Sequence, residues 1–142
     1  MAAEKTHVLR VSLKPKLYRD IEIDSARSLS DLAEAICTSF DFEFDHAFGF
    51  YSIMTSAYRQ SPEQYELAAD SGEGSAKSVA QTRVDQAFPK VGKKLQFVFD
   101  YEAGWSFQVE LTALGEKAPQ RRYPRMVAAM GDAPDQYPDD DF

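Results

Sequence analysis

Leu95-Gln-Phe-Val-Phe-Asp-Tyr-Glu-Ala-Gly-Trp-Ser-Phe-Gln-Val-Glu-Leu111 is the stretch that decides the fold. Leu95, Phe97, Phe99 and Tyr101 alternate with Gln96, Val98 and Asp100, and after Glu102-Ala103-Gly104 the rhythm resumes as Trp105, Phe107, Val109 and Leu111. Successive side chains of a strand point to opposite faces, so two period-2 runs split by a Gly-containing break predict a β-hairpin with one aromatic-rich face. Its rings, Tyr101 and Trp105 among them, read as core beneath a helix, and any unfilled part would be a groove for a peptide or small apolar ligand.

Upstream, Leu9, Val11 and Leu13 oppose Arg10, Ser12 and Lys14; Pro15-Lys16 punctuates the chain, and Leu17 to Asp24 resumes an extended pattern with Ile21 and Ile23 on one face. This predicts a second hairpin, with Arg10 or Lys14 paired across it to Asp20 or Glu22. The period then changes. Leu29, Leu32, Ala33, Ile36, Cys37 and Phe40 recur at three- and four-residue spacing, the stripe of a helix from about Ser28 to Phe40, with Ser28 and Asp31 as a capping pair. Phe40, Phe42 and Phe44 next alternate with Asp41, Glu43 and Asp45, leading through His46 into an expected third strand, Ala47 to Met54. Thr55 to Ala80 is a long loop by composition, with a short strand near Tyr65 to Leu67, and Val84 to Phe88 is a helical turn before Pro89. Beyond Leu114 no further element is read, and the Pro- and Asp-rich end from Ala133 is expected to be mobile. Strands, one long helix and more strands make an α+β domain: a mixed or antiparallel sheet with the helix packed on a face, in a β-grasp-like order.

The 142 residues suit a single domain over 1–131, and ten Phe with seven Tyr supply a core large enough to need no staple. Of the net charge of −7, Asp132, Asp135, Asp139, Asp140 and Asp141 supply −5, leaving −2 for residues 1–131. Residues 132–142 read as an acidic, mobile tail, and the nearly neutral body argues against a surface built throughout for phosphate backbones. Cys37 is the only cysteine, so no intrachain disulfide is possible. No secretory signal layout and no apolar run of membrane-spanning length are present, so a cytoplasmic protein with no membrane partner is expected.

Several landmarks together resemble the plasmid pRiA ORF-3-like protein family: Val11-Ser-Leu-Lys-Pro15 with Tyr18-Arg-Asp-Ile-Glu-Ile23, Leu29-Ser-Asp-Leu-Ala-Glu-Ala-Ile36, Asp45-His46 to Phe50, Phe97-Val-Phe-Asp-Tyr-Glu-Ala-Gly-Trp105, and Tyr123-Pro124-Arg125. The resemblance spans most of residues 8–126, with Asp100-Tyr101 and Trp105 its strongest points, and it implies an α+β fold and no established activity. This chain departs from it where the family often carries His, at Phe48 and Phe107, and where many members end in Cys-Gly-Gly, here Asp139-Asp140-Asp141. Metal or acid–base chemistry resting on those family positions would be lost here, whereas a binding role would survive.

The chemistry-bearing residues are sparse. Asp41, Glu43, Asp45 and His46 could offer oxygen and nitrogen ligands to a divalent cation, but an acidic face opposite three Phe explains them more simply. His46 beside Asp45 could act as a general base, yet no Gly-x-Ser-x-Gly elbow accompanies it, and Gly72-Glu-Gly-Ser75 lacks the Lys-Ser/Thr ending of a phosphate loop. Arg121, Arg122, Tyr123 and Arg125 form a basic and aromatic cluster able to grip phosphates and stack on a base. No cofactor motif is present. The expectation is a non-enzymatic, cytoplasmic module that binds an unidentified protein or peptide through a sheet edge or aromatic groove, with Asp100, Tyr101, Trp105, His46, Arg121, Arg122, Tyr123 and Arg125 as candidate contacts. The alternatives are a nucleic-acid accessory protein of mobile elements and a metal-dependent enzyme using Asp45, His46 and Asp100.

Overall fold

Two hairpins lie side by side in the computed structural model, which describes residues 4–71 and 76–137. In the first, β1 (Lys5–Lys14) and β2 (Leu17–Asp24) pair antiparallel with Leu9 opposite Ile21 and Arg10 opposite Asp20. That register buries Leu9, Val11, Ile21 and Ile23 on one face. On the other it places the Arg10 guanidinium 2.8 and 3.0 Å from the two Asp20 oxygens. Arg10 is half exposed, so the pair contributes at most about 1 kcal/mol.

Helix α1 (Leu29–Ser39) starts where Ser28 Oγ accepts the Asp31 amide at 3.1 Å, a cap worth ~1 kcal/mol. Its stripe of Leu29, Leu32, Ala33, Ile36 and Cys37 is buried on the sheet. Cys37 packs there as a small apolar residue, its thiol pushed up to about 12 by burial. Past the helix the Phe40-Phe42-Phe44 alternation is not a strand: Asp41 takes φ +59°, which turns the chain and breaks the common face expected for Asp41, Glu43 and Asp45. Phe40 and Phe42 enter the core, while Phe44 stays 40% exposed.

The third strand, β3 (Phe48–Tyr51), is shorter than the pattern suggested. The long excursion after it carries β4 (Gln64–Glu66), β5 (Lys77–Ser78) and two 3-10 turns, with Gly72 to Ser75 outside the described residues. A four-residue α2 (Val84–Ala87) precedes the aromatic hairpin of β6 (Lys94–Phe99) and β7 (Trp105–Glu116). The chain then returns as β8 (Arg125–Met130), which the sequence did not lead us to expect. One eight-stranded sheet results, in the order β5-β4-β3-β6-β7-β1-β2-β8, with every pair antiparallel except β4 with β5. The domain is thus a mixed α+β fold with a mostly antiparallel sheet and few helices.

On the α1 side of the sheet, Phe97 lies between its neighbours, its ring 5.7 Å from both Phe48 and Phe107 and 4.9 Å from Phe50. Phe40 closes the layer from α1, 5.1 Å from Phe107. Each fully buried phenylalanine contributes on the order of 1.5–3 kcal/mol. No helix among the described residues is long and apolar enough to cross a membrane.

Candidate functional site

The turn after β6 brings three of the expected contacts to one corner and separates a fourth. Asp100 adopts φ +60°; its amide donates to Ala47 O at 2.9 Å and its carbonyl accepts from Gly104 N at 2.7 Å. This closes the hairpin and sets the buried Asp100 carboxylate 3.5 Å from His46 Nε2. Trp105 follows on the α1 side, edge-on to Phe42 at 4.8 Å, and its indole Nε1 is buried with no hydrogen-bond partner among the described residues.

Tyr101 does not continue the face of Phe97 and Phe99, which corrects the alternation read from the sequence. The left-handed Asp100 ends the strand parity, and the Tyr101 hydroxyl lies 2.8 Å from that of Tyr51 on the opposite face. Both phenols cross over Gly49, where a Cβ would lie 2.6 Å from Tyr51 Oη and 2.8 Å from Tyr101 Oη, so only glycine fits beneath them. Tyr51 gives its proton to the Glu66 carboxylate, so Tyr101 donates to Tyr51. Burial pushes Tyr101 up to about 12, and the Arg59 guanidinium covers its ring at 4.9 Å. These groups form a second, polar-edged core under the excursion between β3 and β4.

The corner around His46 is closed by the C-terminal segment. Gln136 is buried, its Oε1 accepting from Glu43 N at 2.6 Å and its Nε2 donating to Glu43 O at 3.1 Å. Tyr137 Oη donates to Asp45 at 2.6 Å and accepts from His46 Nε2 at 2.9 Å, which assigns the proton of His46 to Nε2. Tyr137 is pushed up to about 12 by Asp45, and the same bond holds Asp45 below its ordinary value. Residues up to 137 thus lie against the domain; Asp139, Asp140 and Asp141 fall outside the described residues. No group of three or more His, Cys, Asp or Glu among the described residues is arranged to hold a metal. His46 is surrounded by two carboxylates and a phenol, a set that fastens the C-terminal segment to the turn after α1.

The basic cluster lies near the opposite edge of the sheet and is partly occupied. Arg125 pairs with Glu22 at 2.8 Å, and Tyr123 Oη accepts from Ala118 N at 3.0 Å while its ring sits between Lys117 and Arg125. Arg121 and Arg122 remain exposed. The cluster is thus split between a packed half and an open half.

Three features escaped the sequence reading. His7 is buried with Nδ1 2.6 Å from Ser25 Oγ and Nε2 2.9 Å from Phe88 O; the carbonyl takes the Nε2 proton and the hydroxyl donates to Nδ1. The imidazole therefore ties β1 to the turn before α1 and to the end of α2. Arg19, 6% exposed on β2, donates to Ser39 O at 3.0 Å, to Tyr18 O at 2.9 Å and to Met130 O at 3.1 Å, and lies over the Phe40 ring at 4.7 Å. The third is a groove of about 590 Å³ between α1 and β8, with Ile21, Ala35, Met126 and Ala129 as its apolar part and Arg19 in its wall. β8 ends the sheet, and its Met126, Val127 and Met130 are 53%, 41% and 45% exposed. Buried lone polar groups and an edge strand open on both faces give no periodic signal that could have marked them.

Comparison with family models matches residues 5–140 to the family described as plasmid pRiA4b ORF-3-like protein. Comparison with curated proteins finds no match. Among solved structures, the chain is similar to the crystal structure of a protein of unknown function, MM3350 from Methanosarcina mazei Go1, with a TM-score of 0.72 and 19% identity over 90% of this chain and 71% of that one. At that identity the likeness establishes a shared fold.

Proposed function

Because the chain belongs to the plasmid pRiA4b ORF-3-like protein family, whose description names no reaction, we propose that it acts as a non-enzymatic interaction module that takes up an extended segment of a partner protein along β8. The observation that carries this reading is that β8, among the described residues, pairs with β2 on one side only, beside a groove with an apolar floor. An edge strand offers unpaired amide and carbonyl groups, and natural proteins usually blunt such edges with lysine, proline or a covering element. Here the edge exposes Met126, Val127 and Met130. Main-chain bonds to an added strand would give affinity, and the groove would receive its alternate side chains. The lone, buried Cys37 agrees with a reducing, cytoplasmic setting. A nucleic-acid role has less support, since Tyr123 and Arg125 are engaged within the domain.

Hydrogen exchange tests the reading. A ten-residue peptide alternating Val and Thr, with a central Gln and blocked ends, should protect the β8 amides. Met126→Lys with Met130→Lys should abolish that protection while leaving the melting temperature unchanged. Protection confined to other elements, or none at all, would overturn the proposal.

A further inference from the structure

Among the described residues, Arg19 is the groove-lining cation whose charge meets no carboxylate. Arg27 is paired with Asp31 at 2.8 Å and Arg125 with Glu22 at 2.8 Å, whereas all three hydrogen bonds of Arg19 go to main-chain carbonyls. Those bonds use Nε and Nη1. Nη2 makes no hydrogen bond among the described residues, and Arg19, 6% exposed, lines the groove. A guanidinium in such a place is held in one orientation by Ser39, Tyr18, Met130 and the Phe40 ring, and most of its hydration has already been removed. A carboxylate arriving there meets a preorganised donor in a low-dielectric wall, where charge-assisted bonds are stronger than between exposed side chains.

We infer that Arg19 anchors a carboxylate side chain, Asp or Glu, carried by the extended partner segment lying along β8. The inference rests on the strand-addition reading and adds the chemistry of the segment. Arg19 stands opposite Ala129 in the β2–β8 register, on the sheet face that carries Ile21 and looks toward α1. Residues of an added strand that share this face would enter the groove, and those of the other parity would not. Glu34 and Asp41 line the same groove, both exposed and both without an ion-pair partner among the described residues. They repel a run of acids. The segment that fits therefore carries a single inward acid among apolar neighbours.

The test compares peptides rather than relying on one protein variant, because Arg19 also ties α1 to β8 and its replacement can unsettle the fold. Three blocked ten-residue peptides alternating Val and Thr carry Glu, Gln or Lys at the same central position, and a fourth carries Gln with a free C-terminal carboxylate. Titration by fluorescence anisotropy should give the Glu peptide ~10-fold tighter binding than the Gln peptide, with the gap shrinking in high salt. Arg19→Lys, which keeps the charge and loses the fork, should reduce the ratio of Glu-peptide to Gln-peptide affinity several-fold. Equal binding of the Glu and Gln peptides would overturn the carboxylate anchor and leave strand addition standing. Failure of every peptide would remove both. Preference for the free C-terminal carboxylate over Glu would overturn the assignment to a side chain.

Discussion

Gln136 holds Glu43 at both of its main-chain groups, accepting from the amide at 2.6 Å and donating to the carbonyl at 3.1 Å. One side-chain amide thus does for Glu43 what a neighbouring strand would do, and it fastens the C-terminal segment to the turn after α1. Gln136→Ala should cost ~1–2 kcal/mol, because two partly buried bonds to the main chain are lost together. Chemical denaturation reads the cost, and a change below ~0.3 kcal/mol would mean that Tyr137 alone holds the segment.

The Asp45–Tyr137 bond gives the same contact a pH window. Asp45 is depressed by the phenol, so its contribution is present above the ordinary carboxylate value near ~4 and is lost as pH falls through the lower, bound value. Tyr137 is raised to about 12 by Asp45, so its contribution is complete below the ordinary phenol value of ~10 and is lost as pH rises through about 12. Amide NMR shifts of Asp135 to Tyr137 should move as pH falls below ~4 and again as it rises through about 12. Tyr137→Phe should remove both limits.

Phe107 and Trp105 share a strand but differ in cost. Phe107 is 1% exposed against Phe40, Phe42 and Phe97, so Phe107→Ala should destabilise by ~3–5 kcal/mol. Trp105 is only partly buried and carries an indole N–H with no partner among the described residues. Trp105→Phe removes that donor along with some area and should therefore fall within ~1 kcal/mol of the parent protein in thermal melts. A loss above ~3 kcal/mol would show that the indole N–H is bonded in solution.

Phe48 and Phe107 both rest on Phe97, from opposite sides. Replacing both with His puts two polar rings into this layer at ~1–3 kcal/mol each. Isothermal titration with zinc should show no uptake by the double variant; stoichiometric uptake with retained stability would mean that the layer can be rebuilt as a metal centre.

The hairpins and α1 were legible because each buries one face and so writes its period into the chain: Leu9 with Val11, Leu32 with Ile36, Phe97 with Phe99. β8 was not, since Met126 to Met130 are exposed on both faces and nothing selects an alternation. Tyr101 was placed on the wrong face because a positive φ at Asp100, a non-glycine residue, leaves no mark in composition. The corner of His46, Asp45 and Asp100 was visible as residue types, but its closure depends on Gln136 and Tyr137, which arrive from a segment with no apolar repeat. Arg19 drew no reading, although its parity is that of Ile21 and it points inward, because a cation amid an alternating strand does not announce burial.

The two margins of the sheet are unequal. β5 is two residues long and lies parallel to β4, whereas β8 presents six residues. Head-to-tail growth requires two complementary margins on every copy, and among the described residues β8 is the margin long enough to template a strand. Margins of two and six residues are mismatched for joining copy to copy in a growing sheet.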